Sequence, residues 1–344
     1  MPNSPAFAPP AFASFHDAYL GVLKHVTGSF QYANAPRGND SRECIGVSFQ
    51  LTDPRQRSVF LDARPVNPVY HLAEALWYLG GRTDLAMIGH YAPTRRADSR
   101  DGVTIDGSAY GARIFAARDD VLSPYSRVLE LLRSEKNSKR AFLPVFRPGE
   151  LDDPNSPDVP CLLGLHFLER EEQLHMVTYM RANDADRGLV ADVYSFTLIQ
   201  ELTAALLGLH LGTYTHHVGS MHLGTRSLPR AERSIAEAAA DGGGARPVVT
   251  EMPLDTAWSH IRTVLTHEHL LRTNQVQYAP RDVAGLGLPR YWQRALLLFE
   301  VHRQITFCAA DPIDPDVLAA LEPWARWQVE RRWPSRIPNG GMAR

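Results

Sequence analysis

The 344-residue chain is poor in several features that mark whole classes of protein. It has three cysteines, Cys44, Cys161 and Cys308, with no CxxC pair among them; neither a disulfide framework nor a cysteine-rich zinc site is expected. Neither sign of charge dominates: 36 Lys+Arg stand against 38 Asp+Glu, a formal net charge of −2. That balance argues against the basic footprint of a DNA- or RNA-binding surface. No apolar run approaches the ~18 residues of a membrane span. The opening MPNSPAFAPPAFASF lacks the basic flank and apolar stretch of a secretory signal, so a cytoplasmic chain with no membrane partner is expected. GxGxxG after a strand and GxxxxGK(S/T) are both missing, which removes the usual warrants for a dinucleotide site or a P-loop. His216, His217 and His222 come without HExxH or a carboxylate at ligand spacing. Strand alternation puts His216 and His222 on one face and His217 on the other, and no metal is expected.

What is present is a core-forming composition, 44% hydrophobic, 9% aromatic and 22% charged, enough for one large domain. Residues 1–14 are Pro/Ala-rich and, like the tail 336–344, read as flexible. Between them, 15–335 read as a single domain. Phe15, Ala18, Val22 and Val26 form one helix face, with Ser14 as cap and Gly28 as stop. Residues 43–51 read as a strand. Asn67 and Pro68 open a helix that Gly80-Gly81 ends. Further helices are expected at 122–135, 255–272, 291–310 and beyond the DPIDPD break, and strands at 141–146, 159–168, 173–181 and 213–223. Strands and helices alternate irregularly, which predicts an α/β or α+β class with a mixed sheet.

Four groups of residues stand out. Most lone cysteines are inert, yet a turn centred on Glu171 in the 159–181 hairpin sets Arg181 opposite Cys161; a guanidinium beside a thiol favours thiolate. Glu74 is wrapped by Tyr70, Trp77 and Tyr78 at helical spacing, with Val69, Leu72, Ala73 and Leu76 on the other side. It is either an odd surface residue or a buried proton-transfer group with a raised pKa. The segment RANDADRGLVAD, residues 181–192, reads as a polar loop with Asp192 as the N-cap of the next helix. NSKR, residues 137–140, reads as a solvated turn, with a phosphate site as the alternative.

Taken in order, these segments resemble the thymidylate synthase superfamily. HLAEALWYLGG resembles the helix carrying the family's catalytic glutamate, here Glu74, and GSAYGARI its tyrosine-glycine motif, giving Tyr110. NSKR is similar to the element whose basic pair, Lys139 and Arg140, reaches the nucleotide phosphate of the other subunit. DVPC supplies the nucleophile, Cys161. MRAND resembles the phosphate arginine and the aspartate near base and folate, Arg181 and Asp184, with Asn183 between them at the base. GSMHL supplies the sugar-binding histidine, His222, and Arg37 is the candidate for the early phosphate arginine. The resemblance implies a thymidylate synthase-like fold, a homodimer joined back to back across its sheet, and 5,10-methylenetetrahydrofolate as co-substrate without a metal. It covers roughly residues 15 to 225, leaving 226–335 as a divergent helical elaboration.

The departures imply the substrate. Where thymidylate synthases carry an asparagine that reads uracil, this chain has Asp192, which suits cytosine and also marks the deoxycytidylate hydroxymethylases. The serine after the phosphate arginine is Ala182, and the tyrosine two residues past the histidine is Gly224. Both replacements empty space near the sugar and suggest a ribonucleotide. Lys139 stands in place of an arginine, which alters phosphate binding. The resemblance is then nearest to the cytidylate 5-hydroxymethylases of nucleoside-antibiotic biosynthesis. The expected activity is hydroxymethylation of CMP at C5. The alternatives are dCMP hydroxymethylation, C5 methylation of a pyrimidine nucleotide, and a silent nucleotide- or RNA-binding relative.

Overall fold

The structure, a computed structural model, describes residues 7–117 and 122–338. The first six and last six residues of the sequence, and with them part of the two expected flexible ends, lie outside the described residues. Seven strands form one mixed sheet: β1 (Ala11–Phe12), β2 (Tyr32–Asn34), β3 (Ser41–Leu51), β4 (Phe142–Pro144), β5 (Leu162–Arg170), β6 (Gln173–Asp184) and β7 (His210–Gly224). Their order is β1-β3-β7-β6-β5-β4, with β2 paired to the outer part of β3. β6 and β7 run parallel, joined by the Gly188–Leu207 helix, while β3 and β5 pair antiparallel with their inner neighbours. The mixed sheet flanked by helices is the α/β class that the alternation predicts.

The helix starts follow from local chemistry. Ser14 Oγ accepts from Asp17 N at 3.2 Å and Asn67 Oδ1 from Tyr70 N at 3.1 Å, each satisfying an amide of the first turn. The helices Phe15–Gly28 and Pro68–Leu79 begin there. The Pro68–Leu79 helix is buried nearly all round and packs on Gly188–Leu207. Trp77 and Phe196 are fully buried in this layer, as is Phe167 on β5, each contributing about 1.5–3 kcal/mol by removal from water. The Gly188–Leu207 helix is long and apolar enough to cross a membrane by composition alone, but 94% of its 18-residue apolar stretch is buried inside the fold. Its 20 residues also exceed the apolar runs read from the sequence.

The last third is helical: Leu228–Asp241, Trp258–Arg272, Pro280–Ala284, Arg290–Phe307, Pro315–Ala320 and Pro323–Arg332. The single closing helix expected after DPIDPD is two, because Pro323 restarts the chain after Leu321 turns extended. This layer is tied to the sheet domain by Met252 N donating at 2.8 Å to Glu201 Oε1, whose carboxylate also holds the buried Arg57.

Side-chain alternation changes phase at one level across the sheet. On β3, Phe49 and Leu51 point inward; on β6, Met176, Thr178 and Met180; on β7, Tyr214, His216 and Val218. Past Gly46, Arg181 and Gly219 the buried residues are instead Cys44, Asn183 and Met221, which face one another across the strands. Gly46 has φ +72°, a conformation L side chains avoid, and a Cβ on Gly219 would come within 2.9 Å of the Arg181 carbonyl. This step overturns the expected pairing of His216 with His222 on one face. His216 is fully buried against Phe49, and His222 lies beyond the phase change.

Candidate active site

The hairpin that carries Cys161 reaches its register by an irregularity. Glu171 and Glu172 both have positive φ, 51° and 62°, so two residues, not one, form the turn. Leu165 therefore faces Thr178, one residue off the expected register. A bulge between Leu162 and Gly164 removes the offset, and Arg181 N donates to Cys161 O at 2.8 Å. Cys161 and Arg181 are thus cross-strand neighbours at the step in the sheet. The guanidinium is pinned elsewhere, its Nε donating to Pro160 O at 2.7 Å and Nη2 to Val159 O at 2.9 Å. Burial pushes the Cys161 thiol up, Arg181 pulls it down, and Asp192 and Asp158 push it up again. The net direction is upward, so the expected thiolate is not the resting form at neutral pH.

Behind the thiol lies a cluster of buried acids and phenols. Glu74 is 4% exposed, accepts from Tyr70 Oη at 2.7 Å through Oε1, and leaves Oε2 buried without a hydrogen-bond partner. Burial raises its pKa against the pull of Arg95, Tyr70, Tyr78 and Ser195. Asp192 is not the expected N-cap. The helix begins at Gly188, a turn earlier, and Asp192 lies within it, buried. The cause is the preceding loop: Asp184 Oδ1 accepts from the amides of Asp186 and Arg187 at 2.8 Å each, turning the chain into the helix before Asp192 is reached. Asn183 Nδ2 donates to Asp192 Oδ2 at 2.6 Å, and Asn183 Oδ1 is buried without a partner. Burial first, then repulsion from Glu74, pushes the Asp192 carboxyl up to about 7.

Tyr110 is brought to the same cluster by a close backbone approach. A Cβ on Gly111 would fall 2.1 Å from Tyr78 O, so glycine alone lets the Tyr110–Ile114 helix lie on the Pro68–Leu79 helix. The Tyr78 and Tyr110 rings stack at 5.3 Å and 25°. Burial, Asp192 and Cys161 keep the Tyr110 hydroxyl protonated.

The profile of the thymidylate synthase family matches residues 17–242, more than half of the chain. The chain belongs to the thymidylate synthase family. A deoxyuridylate hydroxymethyltransferase of Bacillus phage SP01 is 32% identical over 216 residues, covering 60% of this chain and 56% of that protein. One from Delftia phage PhiW-14 is 29% identical over 217 residues, covering 59% and 58%. The chain thus spans little more than half the length of these curated relatives. The thermostable thymidylate synthase A of Bacillus subtilis has the same fold, with a TM-score of 0.54 at 18% identity over 65% of this chain and 84% of that one.

The remaining family positions divide in two. Asp184 and His222 are cross-strand partners on β6 and β7, as are Ala182 and Ser220, and Gly224 closes β7 opposite Ser41. A Cβ on Gly224 would meet only Asp40 O, at 3.9 Å, so the position is open. Arg37 is exposed at φ 51° and reaches Ser156 O at 3.5 Å, on the loop that leads to Cys161. Lys139 and Arg140 are not brought to this cluster. Both are exposed beside β4 and β5, and Arg140 pairs with Glu135 of the same chain.

Two neighbours escaped the sequence reading. Ser195, one turn along the helix from Asp192, is buried with an unpartnered Oγ, and helical spacing could have found it. Arg95, in the Pro93–Asp98 turn, acts electrostatically on Tyr70, Glu74, Tyr78, Tyr110, Cys161 and Asp192. No periodicity or motif marks it. Among the described residues, no three His, Cys, Asp or Glu side chains gather as metal ligands.

Proposed function

We propose that this protein transfers the one-carbon unit of 5,10-methylenetetrahydrofolate to C5 of CMP in the cytoplasm and completes the reaction with water, giving 5-hydroxymethyl-CMP. The observation that carries this reading is the convergence of Cys161, Glu74, Tyr110 and Asp192 on one step in the sheet. Cys161 adds to C6 of the base and makes C5 nucleophilic. Tyr110 assists at C5, Glu74 serves the proton transfers, and water adds to the exocyclic methylene left on the base. Asp184, fixed by two amides, suits the amino-amide edge of a pterin, and the folate supplies the carbon at formaldehyde oxidation level.

Asp192 and Asn183 face the base. An aspartate that titrates near neutrality shares a proton with cytosine N3 and accepts from its exocyclic amine, while Asn183 Oδ1 is a free acceptor beside it. Arg181 and Arg37 would hold the phosphate, and His222 the sugar. The openness at Gly224 supports a ribose. Lys139 and Arg140 would complete the phosphate site of a second subunit, since they stand apart from Cys161 of their own chain. The half-buried sheet face beside them carries Tyr179 and His217, stacked at 5.5 Å, and suits a back-to-back homodimer. The role belongs with nucleoside-antibiotic biosynthesis. A second reading, hydroxymethylation of a uracil nucleotide, is favoured by the relatives named deoxyuridylate hydroxymethyltransferase.

Incubation with methylenetetrahydrofolate and, separately, CMP, dCMP, UMP and dUMP, followed by mass spectrometry, decides between them. A gain of about 30 Da is hydroxymethylation and about 14 Da is methylation. The first, on CMP ahead of dCMP, is expected; the same gain on a uracil nucleotide alone moves the conclusion to the second reading. No gain on any of the four overturns the proposed catalysis.

A further inference from the structure

Arg95 is tethered at both ends but not in the middle. Its Nη2 donates to Ser108 Oγ at 2.6 Å and its Nη1 pairs with Asp98 Oδ2 at 2.9 Å, while Nε is buried without a partner. Ser108 passes the connection on, its Oγ donating to Asp158 Oδ2 at 2.9 Å and its amide to the same oxygen at 2.7 Å. Asp158 lies on the loop that delivers Cys161. The guanidinium is also coupled electrostatically to Glu74, Tyr70 and Tyr78 of one helix and to Asp192 of another. Glu74 Oε2, Ser195 Oγ and Arg95 Nε are all buried and unsatisfied, and an unmade hydrogen bond is costly at each buried group. Arg95 and Ser195 both act on the Glu74 carboxylate, so the three unpartnered atoms form a donor-acceptor set for a small polar molecule.

We propose that Arg95 is a positioning residue for hydration: acting through Glu74, it orients the carboxylate and the water that attacks the exocyclic methylene. This rests on the hydroxymethylase reading above. In the step, the water oxygen forms a bond to the methylene carbon while its O–H bond breaks, and the proton passes to Glu74. The electron pair of the exocyclic double bond moves into the ring, re-forms C5=C6, and expels the Cys161 thiolate from C6. A fixed cation beside Glu74 favours the charged carboxylate that accepts this proton, and Ser195 Oγ supplies the second contact to the water. The guanidinium thereby separates the end of the reaction from its beginning, because loss of the C5 proton precedes water addition.

The test compares the wild type with Arg95→Met and Arg95→Lys on the preferred nucleotide with methylenetetrahydrofolate and a small alkylthiol, which captures the exocyclic methylene when water does not. Tritium release from C5 reports the steps before hydration, and mass spectrometry separates hydroxymethyl product from thiol adduct. Arg95→Met is expected to lower hydroxymethyl product at least about tenfold more than it lowers tritium release, the difference appearing as thiol adduct. Arg95→Lys is expected to recover part of the hydration and, keeping the charge, gives the same ratio on a folded protein if the methionine variant does not fold. A ratio of hydroxymethyl product to tritium release equal to that of the wild type in both variants overturns the inference. A wild type that gives no hydroxymethyl product on any nucleotide overturns the reading beneath it instead.

Discussion

Two buried arginine-glutamate neighbourhoods in this chain are built to opposite rules. In the C-terminal helical layer, Glu300 accepts from Arg303 Nε at 2.8 Å and Nη2 at 2.7 Å, from Gln304 Nε2 at 2.9 Å and from Tyr278 N at 3.2 Å, so both oxygens are satisfied. Arg303 spends its remaining Nη1 on Asn274 Oδ1 at 2.9 Å. Beside the sheet, Glu74 and Arg95 each keep an unpartnered polar atom, with Asn183 and Ser195 doing the same nearby. A buried charge with every valence used holds helices together. A buried charge with valences to spare costs folding energy that a ligand can return.

Substitutions sharpen this contrast, beginning with the largest effect. Cys161→Ala is expected to lower turnover by at least about 10⁴-fold while nucleotide binding stays measurable by titration; an active alanine variant breaks the covalent route. Glu74→Gln keeps the shape and is expected to lower turnover by about 10²–10⁴-fold with little change in thermal midpoint. Glu300→Ala inverts that pattern: it strands Arg303 and is expected to cost about 3–5 kcal/mol in denaturant unfolding, with activity per folded molecule retained. If Glu300→Ala removes activity without destabilising, the two neighbourhoods are not distinct in the way proposed.

Asp192→Asn has a signed pH signature. The fold raises this carboxyl from an ordinary 3.8 to about 7, so it favours the protonated form. The associated stability is fully present below about pH 4 and is lost as pH rises through about 7. An asparagine cannot ionise, and the variant is expected to melt several degrees above the wild type at pH 8 and level with it at pH 4. The same substitution should move recognition toward uracil nucleotides, read from product masses; unchanged cytosine preference removes Asp192 from the base edge. The smallest effect is expected of Ala182→Ser, a shift of less than about tenfold in the CMP/dCMP ratio of kcat/KM. An identical ratio takes that residue out of the sugar argument.

Much of the layer around Glu74 and Asp192 is legible in the sequence because local chemistry dictates it. Asn67 caps the helix it precedes, and that helix carries Glu74 into the core because apolar residues surround it on every turn. Tyr70 reaches Glu74 at the i, i+4 spacing that its position implies. Asp192 misleads as an N-cap because the side chain that turns the loop is Asp184, eight positions earlier, and capping preferences cannot choose between two aspartates. The hairpin expectation brings Arg181 to Cys161 only because a two-residue turn and a bulge, each one residue from the regular pattern, cancel.

By itself the sequence determined the mixed α/β class, the apolar surround of Glu74 and the motifs that place the chain in the thymidylate synthase family, since each depends on residues adjacent or one turn apart. Only the tertiary structure decided the rest. The step across β3, β5, β6 and β7 arises from packing four strands at once, and it sends His216 inward and separates it from His222. The burial that lifts Asp192 to about 7 and outweighs Arg181 at Cys161 is a property of the whole surrounding volume. Arg95 joins Glu74 from a turn with no pattern of its own, because a contact between distant segments leaves no period in the sequence.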